Sequence, residues 1–130
     1  MANEAVCIET PTRFARYTVA DGNAIPIGTL LKLSDPNTAA ATAADNDKFA
    51  GIAWEEKTAS DGITEITAAL DGVWDIKDAG AGITCGERVS VGGANIVSKV
   101  AAADLLFADV GVALEDAAAS EVIRVRVWAY

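Results

Sequence analysis

An all-β fold is predicted: a compact β-sandwich or β-barrel with an internal strand–turn–strand repeat, at most one short helix at about 100–107, and an extended N-terminal arm. Three observations carry this reading. The stretch Gly51-Ile52-Ala53-Trp54-Glu55-Glu56-Lys57-Thr58-Ala59-Ser60-Asp61 returns as Gly111-Val112-Ala113-Leu114-Glu115-Asp116-Ala117-Ala118-Ala119-Ser120-Glu121, with five of the eleven positions identical and four more alike in character. Val122–Trp128 alternates strictly, so Ile123, Val125 and Val127 are expected inside and Arg124 and Arg126 outside. Short apolar runs are punctuated by Gly, Pro, Asn and Asp every ~8–12 residues, as in sandwiches and barrels.

Residues 1–13 show little periodicity and read as an arm, with residues 14–130 as one β domain. Phe14 to Val19 alternates and forms the first strand; Asp21-Gly22-Asn23 and Pro26 break the chain after it. Thr29, Leu31 and Leu33 then share one strand face, and Asp35-Pro36-Asn37 closes that strand. The alanine- and threonine-rich segment from Thr38 to Asp47 reads as a loop. Strands follow at Phe49–Glu55 and Ile63–Leu70, and Asp71-Gly72 turns into a strand at Val73–Ile76. Asp78-Ala79-Gly80-Ala81-Gly82 serves as a connector, giving repeat halves of about 14–78 and 83–130. The second half offers strands at Glu87–Val91, Asn95–Lys99, Val110–Leu114 and Val122–Trp128, the first two joined by Gly92-Gly93-Ala94-Asn95.

At 130 residues the chain is long enough for one core. A formal charge of −9 disfavours nucleic acid and anionic membranes, both of which call for basic patches. Met1-Ala2-Asn3-Glu4 is acidic with no apolar run behind it, and no run approaches the ~20 residues of a membrane span, so a soluble setting is expected. Cys7 and Cys85 have no metal-ligand spacing; reduced thiols are the working expectation, with a bridge between them left open.

Histidine is absent, which removes Ser-His-Asp and Cys-His nucleophile systems and the commonest zinc ligand. Paired carboxylates remain at Glu55/Glu56 and Glu115/Asp116, with Asp61 and Glu121 nearby. They fall at strand ends and in turns, where acids are solvated rather than raised in pKa for general-acid work. Asp45-Asn46-Asp47 and Asp71, Asp75 and Asp78 supply oxygen atoms but lack EF-hand spacing, so they read as turns. Gly80, Gly82 and Gly86 lack the phosphate-loop spacing and its Lys-Ser/Thr. No catalytic, cofactor or metal site is assigned.

Two unrepeated segments stand out. Arg13, Phe14, Arg16 and Tyr17 gather two guanidinium groups and two aromatics in five residues of an acidic chain; Arg124, Arg126, Trp128 and Tyr130 form an outward row on the last strand. Arg and aromatic residues are enriched at interface cores, so these eight are the candidate contacts to a partner or a neighbouring subunit. A solvated first strand is the bland alternative for the first group.

The order Gly28-x-x-Leu31-x-Leu33, then Phe49-x-Gly51-Ile52-Ala53, then Asp71-Gly72-Val73-Trp74, with Gly86-Glu87-Arg88-Val89 later, resembles the small capsid cement (head decoration) proteins of tailed phages. The match runs from about residue 14 to the end. The resemblance implies a β-barrel or sandwich without a catalytic site or cofactor, binding the major capsid protein on the virion exterior after synthesis in the host cytoplasm. It also implies a homotrimer at capsid symmetry axes, with the N-terminal arm lying along the shell. The rival is a carbohydrate- or receptor-binding β-sandwich, which needs an exposed tryptophan beside carboxylates on a concave face. Trp54, Trp74 and Trp128 all lie within strand patterns, and burial is expected for at least two of them.

Overall fold

Alternating side chains and tight turns shape the chain into eleven strands in the computed structural model, which describes residues 3–101 and 106–129. In the first part these are β1 (Val6–Glu9), β2 (Phe14–Thr18), β3 (Leu30–Asp35), β4 (Thr38–Ala41), β5 (Phe49–Ala53) and β6 (Glu65–Ala69). The second part holds β7 (Asp71–Asp78), β8 (Arg88–Gly93), β9 (Ile96–Lys99), β10 (Asp109–Ala113) and β11 (Val122–Trp128). The all-β expectation is met.

The repeat is larger than the eleven-residue echo. Strands β2 to β6 close into a barrel in the order β2-β4-β3-β5-β6. Strands β7 to β11 run in the order β7-β11-β10-β8-β9, and a parallel β7–β9 pairing closes them into a second barrel of the same connectivity. Thr18↔Thr38 in the first barrel matches Lys77↔Ile96 in the second, and the isolated bridge Ile25↔Lys57 matches Ile83↔Ala117. One five-stranded unit is thus used twice within a single chain.

Three expectations need correction. Asp71–Asp78, assigned from the sequence to the first half, opens the second barrel, so the halves meet at Leu70–Asp71 rather than at 78–82. Thr38–Ala41, read as loop, is β4: its small side chains lack an apolar alternation, and the strand is imposed by antiparallel pairing with β3. Part of the N-terminal arm, Val6–Glu9, is built into the second sheet as an edge strand on β7. Of the face shared by Thr29, Leu31 and Leu33, the first two are buried and Leu33 is exposed, and Leu30 is buried as well. The expected helix at about 100–107 falls largely on residues 102–105, outside the described residues; beside them Leu106–Ala108 form one 3₁₀ turn.

A continuous core joins the two barrels. Leu30, Phe49, Ile52 and Ala69 of the first pack with Trp74, Ile76, Val89, Val91 and the inward Ile123, Val125 and Val127 of the second. A smaller cluster of Val19, Ile25, Leu31, Ile66 and Ala68 fills the first barrel. Trp74 is buried, and its indole N–H donates to the Asp71 carbonyl at 3.0 Å. Truncating it to alanine removes the largest anchor of this core, at about 3–5 kcal/mol.

Candidate interaction surface

The two candidate segments meet where the barrels join. Trp128, the last residue of β11, pairs with Asp71, the first of β7. The Asp71 carboxylate accepts hydrogen bonds from Thr12 N–H (2.7 Å), Thr12 Oγ1 (2.7 Å) and Arg13 N–H (3.2 Å). Burial acts to raise its pKa, but these bonds from Thr12 and Arg13 outweigh it and hold the carboxyl below the ordinary value. The chain is thereby fixed so that the Arg13 guanidinium lies 4.0 Å from the Trp128 ring centroid and donates to the Ala129 carbonyl at 3.2 Å.

On β11 the outward residues are Arg124, Arg126 and Trp128, as the alternation predicts. Trp128 stays 52% exposed with one face on Arg13, which leaves a flat apolar surface in water. Arg126 and Trp128 are shared by two grooves of about 280 and 270 Å³. Arg88, Gly111 and Val112 line the first; Thr10, Thr12 and Val73 line the second. Arg124 is instead turned to Asp75 at 3.5 Å. Tyr130 lies outside the described residues.

The rest of the first segment divides by face. Phe14, 45% exposed, leans on Trp54 (ring centroids 5.6 Å apart), and Trp54 meets Trp74 edge-on at 5.9 Å. Phe14, Arg16, Trp54 and Thr67 line a shallow groove of about 430 Å³. Arg16 lies 3.2 Å from Glu55 and 3.4 Å from Glu65, exposed pairs that contribute little to stability. Tyr17 is a structural residue: half-buried, its hydroxyl donates to the Ala50 carbonyl at 2.9 Å, and burial pushes its pKa up. Of the three tryptophans, Trp74 alone is buried. Trp54 is half-buried against the core and Trp128 is exposed, contrary to the expectation of at least two buried.

The repeated acids brace backbone in matched positions of the two barrels. Glu55 accepts from Thr67 N–H at 2.6 Å and Glu115 from Arg124 N–H at 2.9 Å. Glu56 accepts from Ile27 N–H at 3.0 Å, as Asp116 does from Cys85 N–H at 2.7 Å. Asp61 takes Thr58 N–H at 3.0 Å, and Glu121 takes Ala118 N–H at 2.7 Å. Hydrogen bonds from Thr67 hold Glu55 below its ordinary pKa, the reverse of what a general acid requires. Asp61 is lowered to about 2, first by the Ile63 N–H and further by Lys57. Asp47 likewise accepts from Ala43 and Ala44 N–H. Asp78 accepts from Gly82 N–H at 2.9 Å, and Asp109 is paired with Arg88. Cys7 is half-buried, Cys85 is exposed, and both thiols are free.

Sequence reasoning passed over Lys57. Its side chain is 0% exposed. The ammonium donates to Asp21 O (2.6 Å), Asp21 Oδ1 (3.4 Å), Thr58 O (3.1 Å) and Asp61 Oδ1 (3.1 Å). The signal was present in the repeat, where Lys57 faces Ala117: the charge belongs to one copy's loop, not to the shared unit.

No family model matches the chain, and no curated protein matches it. Among solved structures it is similar to the N base of the head fiber gp8.5 of bacteriophage phi29. The TM-score is 0.56 at 17% identity, over 88% of this chain and 94% of that one. At that identity the likeness establishes a shared fold, spanning both barrels.

Proposed function

We propose that the chain is a non-catalytic virion structural protein that binds the outer surface of an icosahedral capsid and stabilises it. The observation that carries this reading is the near end-to-end fold likeness to the N base of a phage head fiber. In this reading Arg126 and Trp128, with Arg13 stacked behind, form the centre of the contact to the major capsid protein. An exposed indole between arginines is the usual make-up of an interface hot spot. The protein self-associates, as a homotrimer at capsid symmetry axes, so that many modest contacts repeat over the shell and add up. It is made in the host cytoplasm and ends on the virion exterior.

A glycan-binding reading draws on exposed Trp128 but needs carboxylates free to bind sugar hydroxyls. Of the three that line its grooves, Asp71 is engaged by Thr12 and Arg13 and Asp109 by Arg88, which leaves the single carboxylate of Glu9. The test is co-sedimentation of the purified protein with undecorated capsids, followed by imaging. Saturable decoration is expected, and absence of binding removes the proposal.

A further inference from the structure

The duplication provides an internal control, because one barrel carries a strand that its twin lacks. Antiparallel neighbours exchange backbone hydrogen bonds at alternate residues, so each strand turns alternate N–H and C=O groups to opposite sides. On β7, Asp78 N–H donates to Glu121 O on the β11 side. Val73 and Asp75 therefore turn the other way, and β1 takes them up through Glu9↔Val73 and Val6↔Asp75. On β2, Thr18 N–H donates to Asn37 O on the β4 side, so Phe14 and Arg16 turn to that same side. There the only paired residue of β2 is Thr18, and no described strand covers Phe14 to Arg16. The edge that β1 fills on the second barrel is open on the first.

The chain also carries an edge that fits it. Strand β1 ends its sheet: Gly28 O takes the Ala5 N–H just before it, and no described strand pairs with the outer side of Val6–Glu9. Val6 is 60% and Ile8 39% exposed there, an apolar edge of the kind that recruits another strand. On the open β2 edge Phe14 is 45% exposed, and the Arg16 guanidinium beside it is held by Glu55 and Glu65 of its own copy. Each edge thus carries exposed apolar side chains: Val6 and Ile8 on one, Phe14 on the other. Within one copy β1 is already engaged along β7, so the matching edge must come from another.

The geometry points to head-to-tail self-association in which the outer edge of β1 in one copy adds to the open β2 edge, Phe14–Arg16, of a second copy. This specifies the self-association in the reading above and does not depend on the partner being a capsid; capsid co-sedimentation tests that separately. Main-chain hydrogen bonds supply the affinity, as in other strand additions, and the exposed apolar side chains of the two edges add contact area.

The test uses two proline variants that each remove an outward N–H while leaving the pairing on the other side of the strand: Arg16→Pro for the acceptor edge and Cys7→Pro for the donor edge. Sedimentation velocity of the wild type up to roughly 1 mM, the weak end of specific association, is expected to show self-association. Each variant alone is expected to stay monomeric. Their equimolar mixture is expected to form a dimer and nothing larger, because one intact donor then meets one intact acceptor. Dimer formation in the mixture also certifies that both variants fold. Should a proline variant lose its near-ultraviolet tryptophan signal, hydrogen exchange of wild type decides instead: the Phe14 and Arg16 amides should slow as concentration rises. A wild type that remains monomeric throughout overturns the inference. So does association unchanged by either proline, a folded pair that does not combine, or exchange at Phe14 and Arg16 independent of concentration.

Discussion

Gly28 and Gly86 occupy matched places in the two barrels, with φ of +92° and +90°. Their N–H groups donate to matched carbonyls, Ala53 at 3.0 Å and Ala113 at 2.8 Å. Replacing either with alanine imposes the same left-handed strain, about 1–2 kcal/mol. Their surroundings differ. A Cβ at Gly86 meets nothing within 4 Å, but one at Gly28 falls 2.2 Å from the Ala5 carbonyl oxygen and 3.1 Å from its nitrogen. The arm then has to lift, breaking the 2.8 Å bond from Ala5 N–H to Gly28 O and loosening β1 from β7. That bond contributes about 1 kcal/mol and the first β1 pair a similar amount, so Gly28→Ala should exceed Gly86→Ala by about 2 kcal/mol. In a domain of this size that corresponds to a Tm gap of roughly 5–10 °C. Urea unfolding of both variants gives the difference. The rate of Cys7 alkylation reports the arm directly and should rise only in Gly28→Ala. Equal destabilisation within ~0.5 kcal/mol, or an unchanged Cys7 rate, would show that the arm is not seated on Gly28.

Three further outcomes follow from other sites. Lys57→Ala should destabilise by about 3 kcal/mol in urea unfolding, since it leaves Asp21 and Asp61 facing a vacated buried site. Asp61, lowered from 3.8 to about 2, contributes stability that is fully present above its unfolded value and is lost as pH falls toward 2. Asp61→Asn should flatten that acid limb of the stability curve, and an unchanged limb would place the titration elsewhere. The double variant Arg126→Ala/Trp128→Ala should change stability by no more than about 1 kcal/mol, because both side chains are exposed, yet abolish capsid co-sedimentation.

Much of this could be read from residues alone, for identifiable reasons. β11 follows its alternation residue for residue because one face lies on the core and the other in water. The matched acids of the two turns, Glu55/Glu115, Glu56/Asp116 and Asp61/Glu121, are visible because each accepts from a specific backbone N–H, which restricts the residue type. The strand-by-strand equivalence is hidden, since Thr38–Ala41 and Ile96–Lys99 fill equivalent places with unrelated side chains. β1 is hidden for a different reason: three of its four residues are exposed, so main-chain pairing rather than an apolar face holds it. Trp128 belongs to the outward set of β11, and the alternation that places Arg126 outside places the indole there too. Trp54 is the tryptophan that falls short of the expected burial: it lies just past the end of β5 and is half-buried against the core. The meeting of Arg13 with Trp128 joins residues more than a hundred positions apart and depends on closure of both barrels.

The capsid reading is tested most directly by titrating the purified protein against undecorated capsids and imaging them by electron microscopy, beside the Arg126→Ala/Trp128→Ala variant. Saturating, symmetrically placed density on the outer shell with wild type, and bare shells with the variant, is the expected result. Shells that stay bare at saturating wild-type protein would contradict the account, and decoration by the double variant equal to wild type would contradict the surface assigned to it.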